Sequence, residues 1–150
     1  VGRIFVGNAF PFEGYTGGGH KQIIDGLMSS GDVGYFDEDG LLYVSGRDDE
    51  MIVSGGENVV PAEVEDLSSG HPDVVEATAI GVEDKEWGHW LRAFVVKKQD
   101  ASLDEDTVKH YVREHLARYK VPREVVFLEE LPRNPTGKVL KRELREMDVD

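Results

Sequence analysis

The chain has 150 residues and no cysteine, which excludes disulfide bonds and thiol chemistry. Its 39% hydrophobic and 31% charged residues are typical of a globular protein, and it has no apolar run of about 18 residues that would predict a membrane-spanning helix. The five histidines lack the spacing of a zinc site. Composition therefore predicts a soluble protein of a reducing compartment, which we take to be the cytoplasm.

The net charge of −13 argues against nucleic acid as a partner, because binding phosphate backbones requires clustered cations. The charge is uneven, however. Residues 117–145 contain eight cationic side chains and only four anionic ones. Most of these cations can simply balance neighbouring carboxylates, but a basic end on an acidic chain also suits a small polyanionic ligand.

The first third of the chain predicts β-structure. A strand begins the chain at residues 1–6 without a starting Met, which predicts a piece of a longer protein. Gly17-Gly18-Gly19 lacks the strand–turn–helix setting of a dinucleotide-binding loop. The turn at residues 37–40 separates two alternating runs, which predicts a hairpin, and a polar break follows at residues 46–50.

The rest of the chain predicts an α+β domain. A short strand at residues 51–53 and a glycine turn at residues 54–58 precede a helix that starts at Pro61, with Val60, Val64 and Leu67 on one face. Residues 74–82 predict a buried central strand and residues 91–96 a second one. The intervening residues 83–90 predict a polar loop.

A second helix is predicted to open on the capping box Ser102-x-x-Glu105. Five residues form its expected apolar face: Val108, Tyr111, Val112, Leu116 and Tyr119. A strand at residues 125–128, a loop and a last helix at residues 139–147 complete the order β-β-α-β-β-α-β-loop-α. The predicted fold is α+β, with a β-hairpin and a mixed sheet of about three strands covered by helices.

The loop before the last helix carries one lysine in a stiff setting. Pro132, Pro135 and Gly137 prevent regular helix or strand, so Lys138 stands at the end of a structured loop. It is not a P-loop, because Pro132 replaces the first Gly and Val139 replaces the Ser or Thr. An ordinary surface lysine would look the same if the loop stood alone.

Five ordered motifs change that interpretation. The sequence resembles the C-terminal end of the adenylate-forming enzymes, which include acyl-CoA synthetases, luciferase and adenylation domains of nonribosomal peptide synthetases, and within them bacterial fatty acyl-CoA synthetases most closely. The motifs are SGDVGY at residues 30–35, GRDDEMIVSGGENVVPAEVE at 46–65, HPDV at 71–74, YKVP at 119–122 and LPRNPTGKVLKREL at 131–144.

The resemblance implies an AMP-forming acid–thiol ligase. A carboxylic acid, expected to be a fatty acid, would react with ATP to give acyl-AMP and pyrophosphate, and the thiol of CoA would then displace AMP. Residues 1–47 would be the tail of a large N-terminal domain that holds Mg²⁺ and the phosphates, and residues 48–150 a mobile C-terminal domain. We expect the fragment alone to be inactive and its main partner to be its own N-terminal domain. Peripheral contact with a membrane is also compatible with the resemblance.

The resemblance also assigns roles near residue 48. Asp32 corresponds to the aspartate that accepts hydrogen bonds from the ATP ribose, which suits a two-oxygen acceptor facing a diol. Arg47 corresponds to an arginine near the ribose, and Asp48 to the hinge that swings the small domain. Taken singly, these residues could be a turn cap, a surface ion pair and a turn residue.

The remaining roles lie in the second domain. Gly55, Gly56 and Glu57 correspond to the wall of the tunnel for the pantetheine arm of CoA, where glycine permits close backbone approach; a plain tight turn is the alternative. Lys138 corresponds to the catalytic lysine of adenylation, whose ammonium stabilises charge gathering on the transferring oxygens. A lysine acetyltransferase acting on Lys138 would switch the enzyme off.

Two other functions stay open from the sequence. A relative could pass the acyl group to a carrier protein or to another acceptor such as oxygen, or the fold could serve interaction only. Asp32, Arg47 and Lys138 together argue against the interaction module. The sequence departs from the family pattern at Ser68 and at His89-Trp90, which leaves substrate and partner details open.

Overall fold

The computed structural model describes residues 1–7 and 21–147. The Gly17–Gly19 run lies outside the described residues. The chain divides into two compact units, Val1–Asp49 and Glu50–Asp150, which we call unit 1 and unit 2.

Unit 1 is built on one antiparallel sheet, in which the long third strand pairs with the other three. The strands are β1 (Gly2–Val6), β2 (Ile23–Ile24), β3 (Leu27–Phe36) and β4 (Leu42–Arg47). The predicted hairpin between β3 and β4 is confirmed, and its turn is fixed by Asp37, whose Oδ1 accepts from the N–H groups of Asp39 (3.0 Å) and Leu41 (2.8 Å).

The polar break predicted from residue 46 is wrong at its start. Strand β4 continues through Gly46 and Arg47, because these residues pair with Val33 and Asp32 on β3. Only residues 48–50 form the turn that follows. The end of the strand was not recognised because Gly46 has no side chain and Arg47 pairs across the sheet with Asp32 rather than entering a core.

Unit 2 contains five strands and three α-helices in its described part. They are β5 (Ile52–Ser54), β6 (Glu57–Val59), α1 (Pro61–Ser69), β7 (Val74–Asp84), β8 (Gly88–Lys97), α2 (Glu105–His115), β9 (Glu124–Phe127) and α3 (Lys141–Glu146). The predicted α+β element order, hairpin and mixed sheet are confirmed. The hairpin belongs to the same sheet, whose order is β6-β5-β8-β7 with β9 on β8.

Strand β8 is the centre of this sheet. It runs antiparallel to β7 and parallel to β9. Its side chains alternate between two cores: Leu91, Ala93 and Val95 pack with buried residues of α1 and α2, whereas Phe94 and Val96 pack with Leu131 and Leu144. Both faces of the sheet are therefore covered, which explains why the strand sequences show no apolar–polar alternation.

Three further predictions are corrected by these elements. Residues 74–82 belong to an edge strand rather than a central one, since β7 pairs only with β8 among the described strands. Residues 83–90 are not a loop: β7 and β8 continue into them and only residues 85–87 form the turn. The last helix begins at Lys141, two residues later than predicted, because Val139 pairs back with Arg133.

The start of α2 also differs from the prediction. The N-cap is Asp104, whose Oδ1 accepts from the backbone N–H of Thr107 at 2.8 Å, and not Ser102, which is exposed. The carboxylate of Glu105 instead accepts from the backbone N–H of Val125 at 3.1 Å. The helix ends at His115, so the expected apolar face stops short: Leu116 caps the helix and Tyr119 lies in a following 3-10 turn.

Candidate functional site

The lysine loop, residues 132–140, is closed by its own backbone. The N–H of Leu140 donates to the carbonyl of Pro132 at 2.8 Å, and the N–H of Asn134 donates to the carbonyl of Lys138 at 2.9 Å. Gly137 turns the chain with a φ of 85°, a left-handed conformation that glycine adopts without a steric cost. The loop is thus a tight hairpin-like unit with Lys138 exposed on it.

One side chain inside the loop holds its tip. The Oδ1 atom of Asn134 accepts from the N–H and the Oγ1 hydroxyl of Thr136, at 3.1 and 2.8 Å, and from the N–H of Lys138 at 2.8 Å. Three donors on one oxygen fix the backbone of Lys138 relative to Asn134. The long side chain of Lys138 is left to reach outward from a fixed backbone.

The loop is also anchored to the sheet. Nη1 of Arg133 donates to the carbonyl of Gly137 at 2.6 Å, and Nη2 forms an ion pair with Glu76 on β7. The same guanidinium therefore touches the loop tip and the strand beneath it. Arginine suits this bridging position because its donors project from one planar fork.

A second cation anchors the far end of the loop. The Nζ atom of Lys141 lies 2.6 Å from Glu50 Oε2 and 2.9 Å from Glu65 Oε1, and only 17% of its side chain is exposed. Burial alone would lower the pKa of Lys141, but the hydrogen bonds to Glu50 and Glu65 outweigh it and raise that pKa above its ordinary value.

These groups line a shallow cleft of about 440 Å³. Its lining is Glu50, Glu65, Ala77, Thr78, Lys138, Val139, Leu140, Lys141 and Arg142. The cleft combines three cations with two carboxylates that already pair with Lys141. Lys138 and Arg142 are its exposed cations, and Arg142 also pairs with Glu146 at 3.1 Å. The ammonium of Lys138 therefore makes the open side of the cleft suited to an anion.

In unit 1, the strand pair β3–β4 brings Asp32 and Arg47 together. They are cross-strand partners, with Nη1 of Arg47 3.2 Å from Oδ1 of Asp32. Nε of Arg47 also lies 3.4 Å from Asp49 Oδ1. The charge of Asp49 first, and then that of Asp32, raises the pKa of Arg47 above its ordinary value.

Asp48 follows directly on β4 and is the second-last residue of unit 1. Its N–H donates to the carbonyl of Gly31 at 3.0 Å, and its Oδ1 lies 2.9 Å from Nε of Arg3. Asp48 is therefore fixed to unit 1 through both its backbone and its side chain. A rotation that begins at this residue would have a firm base.

The turn between β5 and β6 carries Gly55 and Gly56 with φ angles of 58° and 89°. The N–H of Gly55 donates to the carbonyl of Trp87 at 3.1 Å. A Cβ on Gly55 would stand 3.3 Å from the Trp87 ring, whereas nothing lies within 4 Å of a Cβ on Gly56. The turn is bare on one side and covered by an indole on the other, with Glu57 exposed beyond it.

A groove of about 420 Å³ runs beside this turn. It is lined by Ser54, Gly55, Glu57, Trp87, Trp90, Leu91, Arg118, Tyr119, Val121 and Arg123. The guanidinium carbons of Arg92 and Arg123 lie 5.3 and 5.6 Å from the Trp90 ring centre, within cation–π range. The groove thus joins aromatic faces to cationic side chains.

Arg123 is further oriented by an ion pair. Its Nη1 lies 3.1 Å from Asp84 Oδ2, at the end of β7. The pKa of Asp84 is held below its ordinary value by the backbone N–H groups of Trp87 and then Glu86, with Arg123 contributing. The carboxylate form of Asp84 is thus favoured, and it pairs with the guanidinium that lies beside Trp90.

The predicted site residues fall into separate groups. Unit 1 brings Asp32, Arg47 and Asp48 into one neighbourhood. In unit 2, Lys138 lines the cleft beside the lysine loop, whereas Gly55 and Glu57 line the groove beside the glycine turn.

Sequence reasoning missed Asn134, Lys141 and the aromatic–cationic groove. For Asn134 a signal existed, since Asn before Pro-Thr-Gly favours an Asx turn. The partner Glu50 lies 91 residues from Lys141 in the sequence, and no short-range pattern indicates this pair.

Among the described residues, no three or more His, Asp or Glu side chains are grouped to hold a metal ion. Within the same ranges, no helix has both the length and the apolarity needed to cross a membrane.

Comparisons with known proteins place this geometry in a family. The chain is 52% identical over 127 residues to 2-succinylbenzoate–CoA ligase from Geobacillus kaustophilus, a match that covers 85% of this chain and 26% of that protein. The corresponding ligase from Bacillus mycoides is 48% identical over 128 residues, again with 85% and 26% covered. The chain thus spans about a quarter of the length of these curated relatives.

Comparison with solved structures indicates the same family. A Mycobacterium tuberculosis fatty acyl CoA synthetase superposes with a TM-score of 0.69 at 46% identity, covering 83% of this chain and 24% of that one. The o-succinylbenzoate CoA synthetase of Bacillus subtilis gives 0.74 at 40% identity, covering 84% and 26%. The family described as the AMP-binding enzyme C-terminal domain matches residues 63–138, about half of the chain, and its match ends on Lys138. The resemblance to adenylate-forming enzymes is confirmed, and the chain belongs to the family of AMP-binding enzyme C-terminal domains.

Proposed function

We propose that this chain is the C-terminal part of a longer AMP-forming acid–thiol ligase. The longer protein would join a carboxylic acid to the α-phosphate of ATP, releasing pyrophosphate, and then transfer the acyl group from AMP to the thiol of CoA. The observation that carries the proposal is the braced lysine loop, which presents Lys138 from a fixed backbone. The family to which the chain belongs supports the same reaction.

Lys138 would act in the first half-reaction. When the carboxylate approaches the phosphate, two anions repel each other and negative charge gathers on the oxygens that are being transferred. An ammonium placed beside those oxygens stabilises the transition state more than the separated reactants, which is the condition for raising the rate. The brace on Asn134 limits the movement of the Lys138 backbone, so less ordering is required at the moment of reaction.

Asp32 and Arg47 would hold the ribose of ATP. One oxygen of Asp32 pairs with Arg47, and a carboxylate has a second oxygen with which to accept from a ribose hydroxyl. The Arg47 guanidinium keeps the Asp32 carboxylate oriented along the strand pair. We assign these roles by position in the family motifs.

Asp48 would be the hinge between the half-reactions. Its attachment to Gly31 and Arg3 holds it to unit 1, and unit 2 begins two residues later at Glu50. Rotation about one or two residues at the end of a firm element is the usual way to swing a small domain. Residues 1–47 would then belong to a large N-terminal domain and residues 48–150 to the mobile one.

The Gly55–Gly56 turn and its groove would receive CoA. Glycine leaves room for the slender thiol arm to run along the backbone, with Glu57 at the edge of the passage. The groove offers Trp87 and Tyr119 as aromatic faces and Arg118 and Arg123 as cations. That combination suits the adenine ring and phosphates at the other end of CoA.

Mg²⁺ is proposed to be bound, together with the phosphates, by the part of the ligase that precedes this chain. The described residues form no cluster suited to it. When bound, such an ion neutralises phosphate charge, and the proposed roles of Asp32, Arg47 and Lys138 do not depend on its position.

The acid itself is proposed to be a fatty acid or an aromatic acid. The likeness to a fatty acyl CoA synthetase supports the first, and the curated relatives named 2-succinylbenzoate–CoA ligase support the second. Another acceptor than CoA is the second candidate. An amide bond synthetase from Marinactinospora thermotolerans shares the fold at 37% identity and a TM-score of 0.73.

The test is product analysis with the full-length protein that carries this chain. ATP, CoA and a panel containing 2-succinylbenzoate and fatty acids of graded length should yield one class of CoA thioester together with AMP. Acyl-AMP that accumulates with CoA present, yet is consumed by an amine or a carrier protein, would favour the alternative acceptor. If no acid gives acyl-AMP when CoA is left out, and none gives a thioester when CoA is present, the proposal is overturned. The isolated 150 residues should show no ATP–pyrophosphate exchange.

A further inference from the structure

Lys141 lies where the lysine loop meets α3, and it forms the most buried ion pairs of the cleft. Its ammonium contacts Glu50 and Glu65 at 2.6 and 2.9 Å, with 17% of the lysine side chain exposed. Taking an ammonium out of water is unfavourable unless its hydrogen bonds are replaced, and here two carboxylates replace them. Without this cation, two carboxylates would face each other.

The position of Lys141 in the chain ties it to the catalytic loop. It directly follows Leu140, whose N–H closes the loop on the carbonyl of Pro132 at 2.8 Å. Lys138 is three residues before it. Fixing the ammonium of Lys141 therefore fixes the exit of the loop.

The two carboxylates come from different places. Glu50 is the first residue of unit 2, two residues beyond Asp48. Glu65 lies on α1, and its Oε1 also accepts from Thr78 Oγ1 at 3.0 Å and from the N–H of Ala79 at 2.8 Å. One ammonium thus joins the segment that enters unit 2, the helix α1 and the end of the lysine loop.

We propose that Lys141 is a positioning residue for adenylation, which holds the lysine loop at a set distance from the segment that leaves the hinge. The inference rests on the proposed function. A rotation at Asp48 places Lys138 correctly only if the distance between Glu50 and the lysine loop is fixed. The ion pairs of Lys141 with Glu50 and Glu65, which we call the Lys141 clamp, fix this distance directly. The covalent connection from Glu50 to the lysine loop, in contrast, runs through most of unit 2.

Adenylation should depend on this clamp more than thioester formation does. A displacement of about 1 Å in a catalytic group can cost about 10²-fold in rate, and Lys138 acts only in the first half-reaction. A residue that merely stabilised unit 2 would affect both half-reactions equally. The ratio of the two rates therefore separates positioning from stability.

The experiment measures both half-reactions in the full-length protein: ATP–pyrophosphate exchange for adenylation, and thioester formation from supplied acyl-AMP. The variants are Lys141→Met, Lys141→Arg and Glu50→Gln. Lys109→Met is the matched control, because Lys109 forms a partly buried pair with Glu105 at 2.8 Å on α2. Glu50→Gln keeps the side-chain shape and leaves Lys141 paired with Glu65, so it tests the link if Lys141→Met fails to fold.

We expect Lys141→Met to lower adenylation about 10²-fold and Glu50→Gln about tenfold, with thioester formation within about threefold of wild type. Lys141→Arg should recover most of the adenylation rate, and Lys109→Met should change neither step. Equal loss in both steps, or no loss for Glu50→Gln, would overturn the positioning role. If the wild-type protein itself forms no acyl-AMP, the proposed function fails rather than this inference.

Discussion

The lysine loop and the glycine turn are two exposed tips of unit 2 that differ in how many side chains hold them. Each carries an open glycine with positive φ, 85° at Gly137 and 89° at Gly56. The lysine loop is closed by its own backbone hydrogen bonds and is also held by two side chains, those of Asn134 and Arg133. The glycine turn is held by backbone, through the hydrogen bond from Gly55 to Trp87. This difference fits the proposed roles, in which Lys138 delivers a charge from a fixed backbone and the pantetheine arm of CoA passes the open side of the glycine turn.

The strongest test of this comparison is the variant Lys138→Ala in the full-length protein. Adenylation should fall by about 10²–10³-fold, because one preorganised charge at the transferring oxygens is lost. Thioester formation from supplied acyl-AMP should stay near the wild-type rate, since the glycine turn and groove are untouched.

Lys98→Ala is the control for that measurement, because Lys98 is an exposed lysine outside both pockets. It should leave both rates unchanged. Equal loss of both half-reactions in Lys138→Ala would mean that the lysine loop serves the thioester step as well, and the division between the two tips would be wrong.

The brace itself is tested by Asn134→Ala. Three donors lose their shared acceptor, so the backbone of Lys138 becomes mobile and adenylation should fall by roughly 10-fold to 10²-fold. Asn134→Asp keeps the accepting oxygen and should retain most of the activity. If Asp and Ala variants lose the same amount, the hydrogen bonds to Oδ1 are not what positions the lysine.

Much of the fold was predictable because its signals are local. The start of α1 at Pro61, the β3–β4 turn at Asp37 and the element order of unit 2 follow from short-range chemistry. The α2 cap was mispredicted because Ser102 and Asp104 are both good capping residues, and the packing of Leu103 in the core decides between them. Local propensity does not contain that packing.

The candidate site residues could be predicted only where a family motif assigns them a role. Motif resemblance located Asp32, Arg47 and Lys138, and their roles remain predictions. The groove around Trp90 and the clamp on Lys141 depend on residues far apart in sequence, such as Glu50 and Lys141. The Glu65–Lys141 pair forms because α1 and α3 both pack against β7, an arrangement that composition and periodicity do not specify.

A matched pair of glycine variants sharpens the comparison. Gly56→Ala and Gly137→Ala each force a side chain into positive φ with free space around it, so each should destabilise unit 2 by roughly 1–2 kcal/mol. We expect similar losses on thermal unfolding but opposite kinetic effects. Gly137→Ala should slow adenylation and Gly56→Ala should slow thioester formation, each by about tenfold, because a shift of the local backbone misplaces the reacting groups. The same kinetic profile in both would contradict separate roles.

The smallest expected effect is a change in the free energy of unfolding that leaves both half-reactions unaltered. Ser68 on α1 is 1% exposed, and its hydroxyl is the one buried side-chain polar atom without a partner in the described part of the chain. Removing an unpaired buried hydroxyl relieves its desolvation cost, so Ser68→Ala should raise the free energy of unfolding by about 1 kcal/mol. Its exposed neighbour provides the control, since Ser69→Ala should change stability by less than about 0.5 kcal/mol. Because Ser68 lines neither pocket, its replacement should leave both half-reactions unchanged. A change in adenylation alone would show that α1 influences the lysine loop through the contact of Glu65 with Lys141.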